Sequence, residues 1–159
     1  MIAGRWVVIV ATAMVSALTL VAGCATATPA VTAAEDALPK SFHVGPDEAG
    51  IYIIRSERVG GAIPLDVLID GQRLGATVAR SYLYAVVTPG VHTVDSLGDV
   101  RHTLEVEVKP GTIAYLSQVV ELSYLTAPRT RLRRVNDAQG REWVMALKAA
   151  PQRRAADKP

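Results

Sequence analysis

The sequence predicts a mainly β protein, an antiparallel β-sandwich of about seven strands with a short C-terminal helix. From Gly50 onward, short runs rich in β-branched and aromatic residues recur along the chain. Asp-Gly and Pro-Gly dipeptides, which favour tight turns, lie between several of these runs. After Asn136 the apolar residues are spaced as on a helix. Short strands joined by tight turns and followed by one helix are typical of a small sandwich domain.

The first three predicted strands include a hairpin. Residues 50–56 are β-branched and aromatic, which favours an extended conformation. Residues 65–69 place apolar side chains at alternate positions, and residues 73–79 return as the partner strand. Asp70-Gly71 between them supplies the two residue types that a type I′ turn requires, because both of its central residues have positive φ.

The later strands are predicted, in chain order, at residues 82–88, 91–96, 101–108 and 112–122. The first of these is apolar on both faces, which predicts a central strand covered on both sides. Pro89-Gly90 and Pro110-Gly111 have the composition of type II turns. The clearest alternation in the chain gives one apolar face made of His102, Leu104, Val106 and Val108.

The C-terminal helix is predicted from its cap and its spacing. Asn136 is a favourable N-cap, and Gln139 lies three residues later at the capping-box position. Gly140 inside the segment costs the helix about 1 kcal/mol relative to alanine. Pro151 ends the segment, whose inward face is formed by Trp143, Val144 and Leu147.

The N-terminus carries the features of an export signal. Arg5 supplies a positive charge, residues 6–20 form a short apolar run, and small residues follow. Cys24 is the only cysteine of the chain, and its position after Gly23 resembles the bacterial lipobox. That resemblance implies cleavage between Gly23 and Cys24 and a lipid on the Cys24 thiol. It also implies that Ala25, where aspartate would retain an enteric-type lipoprotein in the inner membrane, favours an outer-membrane location facing the periplasm.

These features divide the chain into four predicted parts. They are a signal peptide at 1–23, the lipidated cysteine with a flexible tether at 24–41, the sandwich domain with its helix at 42–148, and a disordered tail at 149–159. The mature chain would have 16 basic and 15 acidic side chains. This balance argues against electrostatic capture of nucleic acid. The anchoring partner is membrane lipid, and no cofactor is expected besides the covalent lipid.

An ordered set of residues in the domain resembles a family of short proteobacterial lipoproteins that share a β-domain without an assigned function. A weaker likeness, in the Asp-Gly and Pro-Gly elements, is to PEGA-type β-domains. The resemblance implies a fold and a location, and it offers no catalytic or binding residue. It rests on Tyr52-x-Ile54-Arg55, Val67-x-Ile69-Asp70-Gly71, Leu74-Gly75, Ser81-Tyr82 and Val87-x-Pro89-Gly90-x-His92.

The best candidate binding residues are Arg129, Arg131 and Arg133, which would share one face of a strand and grip phosphate or carboxylate groups. The alternative is a solvated edge strand on which charge deters edge-to-edge pairing. His92, His102 and His43 lie outside any metal-binding motif, so we expect no metal site. No nucleophile motif is present, and we expect no catalytic residues.

We therefore expect a non-enzymatic structural or adaptor module of the cell envelope, which binds another envelope protein or a cell-wall component. A second hypothesis is a module that binds glycan or anionic glycolipid through the arginines and exposed strand tyrosines. A third is a periplasmic hydrolase, which would need a cleft where His92 meets serine and acidic side chains. An uncovered sheet edge favours the first hypothesis, and an exposed tyrosine strip beside Arg131 favours the second.

Overall fold

A computed structural model describes residues 33–61, 63–121 and 129–152. Within these residues the chain is mainly β with a short C-terminal helix, as the sequence predicts. No helix in this part of the chain is long and apolar enough to span a bilayer. The elements are α1 (Ala33–Lys40), β1 (Ala49–Arg55), β2 (Leu65–Ile69), β3 (Gln72–Thr77), β4 (Ser81–Val87), β5 (Gly90–Leu97), β6 (His102–Val108), β7 (Ile113–Glu121), β8 (Arg129–Val135), α2 (Asp137–Ala146) and β9 (Lys148–Ala149).

The described strands form two sheets packed as a sandwich. One sheet has five strands in the order β8-β7-β1-β4-β9, and the other has four in the order β3-β2-β5-β6. The sandwich is confirmed, but the expectation of about seven antiparallel strands is wrong, because the described residues form nine strands and the larger sheet is mixed. β1 pairs in parallel with β7, and β4 with β9. The reason is connectivity: the chain crosses to the other sheet between β1 and β4 and again before β7.

The turn predictions are confirmed at two of three places. Asp70 and Gly71 have φ values of 50° and 77°, as a type I′ hairpin requires. Gly111 has a φ of 67°, and the Thr112 amide donates to the Lys109 carbonyl at 3.1 Å. Gly90 instead begins β5 with a φ of 147°, so the predicted type II turn is wrong there. That connection carries the chain from one sheet to the other.

The space between the sheets holds the main apolar core. β1 is buried along its whole length, whereas β4, predicted as the doubly covered strand, is buried only in its first three residues. The predicted inward face of β6 is confirmed, with Val106 and Val108 buried. The core is formed mainly by Ile51, Ile53, Val67, Leu83, Val94, Leu116 and Leu132.

Arg55 is a fully buried cation at the end of β1. Its guanidinium donates to the carbonyls of Ile63 and Gly60 at 2.6 and 2.7 Å and to that of Val59 at 3.1 Å. Burial lowers the pKa of the Arg55 guanidinium from its ordinary value. These bonds wrap the loop between β1 and β2 around one side chain, so Arg55 supports the fold of that loop.

A second core lies on the outer face of the five-stranded sheet, under α2. Tyr52, Tyr82 and Tyr115 are buried there together with Val144 and Leu147 of the helix region. The predicted cap is confirmed, because the Asn136 side chain accepts from the Gln139 amide. Gly140 is required by this contact, since a Cβ at that position would lie 2.2 Å from the Tyr115 ring.

The end of the predicted tether is a helix that docks on the same core. The expectation of a flexible tether over 24–41 is wrong for α1, because Asp36 binds the domain directly. Its carboxylate accepts from the Tyr82 hydroxyl at 2.7 Å and from the Ala149 amide at 2.8 Å. Lys40 pairs with Asp36 at 2.7 Å and also donates to the Leu147 carbonyl. A helix this short is marginal alone, so these contacts stabilise it.

The expected disordered tail over 149–159 is wrong at its start. The Ala150 amide donates to the Tyr82 carbonyl at 2.7 Å, and Ala150 itself is buried. Gln152 then bridges to Gly75 of β3. Residues 148–152 therefore run from β4 of one sheet to β3 of the other and close that side of the sandwich. Residues 153–159 lie outside the described part of the chain.

Candidate functional site

An open groove lies on the opposite side of the sandwich, between the edge strands β6 and β8. β6 ends the four-stranded sheet and β8 ends the five-stranded sheet. The groove has a volume of about 550 Å³. Its lining residues are Val100, Arg101, His102, Thr103, Leu104, Glu121, Arg129, Thr130, Arg131 and Leu132.

The alternation along β8 presents the arginines to solvent. Thr130 and Leu132 point into the sandwich, whereas Arg129, Arg131 and Arg133 are exposed at the positions between them. The arrangement of the three arginines on one strand face is thus as predicted. The groove takes in Arg129 and Arg131 but does not include Arg133.

Arg131 meets a carboxylate at the groove. Its Nε lies 3.0 Å from one Glu121 oxygen, and its Nη2 lies 3.5 Å from the other. The Arg131 side chain is 61% exposed and that of Glu121 is 47% exposed. Solvent screens a pair of this kind, so its net contribution to stability is about 0.2–1 kcal/mol.

Arg101 is a groove residue that sequence reasoning missed. It precedes β6, and its guanidinium lies 3.6 Å from the buried carboxylate of Asp95. Thr103 donates to the same carboxylate at 2.5 Å. Arg101 is far from the arginine run in sequence, so only the packing of the two sheets, which places the edge strand β6 beside the edge strand β8, brings them together. An arginine at the start of an edge strand was the available signal.

Two side chains connect the backbones of the edge strands. The Leu132 amide of β8 donates to His102 Nδ1 at 3.3 Å, which leaves the ring proton on Nε2. The Arg134 guanidinium donates to the Glu107 carbonyl of β6 at 3.2 Å. These contacts hold the two sheet edges together, and His102 is therefore a structural residue at the rim of the groove.

His92 is committed to the fold rather than to a catalytic cleft. Its ring lies 2.6 Å from an Asp70 carboxylate oxygen and 2.7 Å from the Thr88 carbonyl. Burial alone would lower its pKa, but the bonds to Asp70 and Thr88 raise the pKa of His92 above its ordinary value. The second partner of the His92 ring is the backbone carbonyl of Thr88. In a Ser-His-Asp hydrolase, a serine hydroxyl would occupy that position.

The remaining predicted sites fall into two groups. His43 is exposed between α1 and β1, and within the described residues no three histidine, cysteine or acidic side chains are grouped as metal ligands would be. Gly23 and Cys24, the predicted cleavage and lipidation residues, lie outside the described residues.

The strand tyrosines do not form an exposed strip beside Arg131. Tyr52, Tyr82 and Tyr115 are buried, and Tyr84 is half-buried against Tyr52 with ring centroids 4.4 Å apart. Burial raises the pKa of Tyr115 to about 12. These rings therefore belong to the packing of the outer face and are not offered to a sugar.

Comparison with protein-family models, with curated proteins and with solved structures finds no match to this chain. The resemblance to the short lipoproteins therefore stays a prediction, and the functional assignment depends on the sequence and on the site described above.

Proposed function

We propose that the chain is a lipid-anchored envelope protein, held at the outer membrane through Cys24, whose sandwich is a non-enzymatic adaptor that binds another envelope protein. The single observation that favours this role is the open β6–β8 side. There, two edge strands border a groove with exposed charged side chains. Such edges and grooves on a rigid frame are common recognition surfaces.

The groove chemistry supports recognition rather than catalysis. Its charged residues are arginines and one glutamate, and its histidine accepts a hydrogen bond from the Leu132 amide. An enzyme would bring a general base to a nucleophile at such a place. Binding of anionic glycolipid is the second candidate, because guanidinium groups also bind phosphate in a bidentate manner.

In-cell photocrosslinking tests the proposal. A photoreactive amino acid replaces Val100, which lines the groove and is 56% exposed, or Val86 on β4, a matched valine that is 50% exposed. We expect an adduct with one envelope protein from Val100 and none from Val86. We also expect Cys24→Ala to remain an unprocessed precursor and to lose the adduct, because the domain is no longer delivered to its partner.

Each alternative has its own result. Equal adducts from both positions, or none from Val100, would overturn the adaptor role. A lipid-bearing adduct from Val100 would replace it with the glycolipid role. An adduct with the mass of two copies of this chain would overturn it in favour of self-association. Intact mass of the wild-type chain shows whether it begins at an acylated Cys24, and an unacylated chain would overturn the anchor.

A further inference from the structure

The groove already contains a carboxylate bound to one of its arginines. Arg131 approaches Glu121 side-on, with Nε and Nη2 facing the two carboxylate oxygens at 3.0 and 3.5 Å. The planar fork of a guanidinium matches a carboxylate in this orientation. Glu121 therefore marks the position that the carboxylate of a ligand would occupy.

The internal pair is easily displaced. Both side chains are about half exposed or more, and an exposed ion pair in solvent contributes little to stability. Glu121 lies at the end of β7 and belongs to the groove lining. Rotation of its side chain toward solvent would therefore leave Arg131 free to bind another carboxylate.

The rest of the groove favours negative charge as well. Among the described lining residues, three are arginines, Arg101, Arg129 and Arg131, and one is a carboxylate, Glu121. Arg101 is 60% exposed, and its partner Asp95 is buried on the β5 side. Once Glu121 is displaced, the groove presents guanidinium groups on both walls.

The apolar residues of the groove distinguish a peptide from a phosphate headgroup. Val100 is 56% exposed, and Leu104 of β6 is a half-buried lining residue that packs against the main core. An extended peptide with alternating acidic and apolar side chains can contact arginines with one set and these residues with the other. A phosphate group alone would gain nothing from contact with these apolar side chains.

We propose that the groove binds an extended acidic peptide segment of the partner protein, with Arg131 holding a ligand carboxylate and Glu121 acting as an internal competitor for it. This inference depends on the proposed adaptor function and adds the chemistry of the partner.

Fluorescence anisotropy tests it with the purified full-length chain in neutral detergent. The probe is a labelled peptide of about eight residues that alternates glutamate and valine, so that its carboxylates share one face. We expect Arg131→Gln to weaken binding about tenfold, because a charge-assisted bidentate contact is lost. We expect Glu121→Gln to strengthen binding about threefold or more, because the competing charge is removed. Arg58→Gln, at an exposed arginine of the β1–β2 loop, serves as the matched control and should leave affinity unchanged.

The gain on Glu121→Gln is the distinguishing result, since a merely structural ion pair would give equal or weaker binding on its loss. Equal or weaker binding in this variant, or no effect of Arg131→Gln, would overturn the inference. Stronger binding of wild-type chain to phosphatidic acid vesicles than to the peptide would also overturn it in favour of phosphate. If Val100 crosslinks to an envelope protein but the peptide does not bind, the adaptor proposal is supported and only the inference of an acidic peptide ligand is overturned.

Discussion

The outer face of the five-stranded sheet has two halves that differ in what covers them. The tyrosine half, formed by Tyr52, Tyr82, Tyr84 and Tyr115, lies under α1 and α2. The arginine strip, formed by Arg129, Arg131 and Arg133 on β8, is exposed. β7 belongs to both, because Tyr115 is near its beginning and Glu121 is its last residue. One sheet face thus separates residues that stabilise the fold from residues available to a partner.

The largest expected effect comes from Gly140→Ala, which breaks the covered half. Helix propensity alone would make this change stabilising by about 1 kcal/mol. The structure predicts the opposite sign, because the new Cβ would lie 2.2 Å from Tyr115. We expect a loss of about 2 kcal/mol or more in the free energy of unfolding, measured by urea denaturation of the full chain.

Ala138→Gly is the matched control for this change. Ala138 is exposed on the same helix, so the substitution should cost about 1 kcal/mol through propensity alone. A Gly140→Ala chain more stable than wild type would contradict the docking of α2 on Tyr115.

An intermediate effect is expected from Asp36→Ala, which removes the acceptor that joins α1 to Tyr82 and Ala149. Donors at this contact lose their partner, so we expect a loss of about 1–3 kcal/mol in stability. Hydrogen exchange of the Ala149 amide should accelerate. Asp99→Ala, at an exposed loop position, should change the free energy of unfolding by less than about 0.5 kcal/mol.

The same contact predicts a pH dependence. Burial opposes ionisation of Asp36, but bonds from Lys40, Tyr82 and Ala149 lower its pKa below 3.8. A lowered folded-state pKa means that the stabilisation is complete above the unfolded value and is lost as pH falls through the folded value. The stability difference between wild type and Asp36→Ala should therefore be constant above about pH 5 and shrink on further acidification. A difference that grew toward acid would contradict the ionised contact.

The smallest effect on stability is expected from replacing Arg129, Arg131 and Arg133 together by glutamine. Their side chains are exposed, and the Arg131–Glu121 pair is weak, so the free energy of unfolding should change by less than about 0.5 kcal/mol. A loss above about 1 kcal/mol would show that the strip is structural. Sedimentation of the same variant tests the alternative that the arginines deter edge-to-edge pairing of β8. Self-association of the variant, with its peptide binding intact, would favour that alternative.

The sequence predicted local features well and long-range ones less well. The Asp70-Gly71 hairpin, the Asn136 cap and the exposed face of β8 follow from neighbouring residues, and the structure confirms them. The parallel pairing of β1 with β7 depends on how the chain crosses between sheets, which no local pattern records. The mixed sheet was missed for that reason.

The candidate site was only partly predictable, because some of its residues meet through long-range contacts. The alternation indicated that Arg129, Arg131 and Arg133 would share one face on a strand, but residues 129–135 were not among the predicted strands. Arg101 joins the groove only because two sheet edges lie side by side. Helix α1 was missed because its stability depends on Tyr82 and Ala149, which are distant in sequence. Gly140 looked like a defect in the helix and is instead the point of contact with Tyr115.

The docking of α1 shortens the spacer that the sequence predicts between Cys24 and the domain. If Cys24 carries the lipid as proposed, eight residues separate it from the first residue of α1 at Ala33. Even fully extended, such a spacer reaches only about 29 Å at 3.6 Å per residue. A spacer running to residue 41 would have allowed about twice that distance. Under the proposed anchor, α1 would therefore lie within about 29 Å of the lipidated cysteine, and a partner could bind the domain only close to the membrane surface.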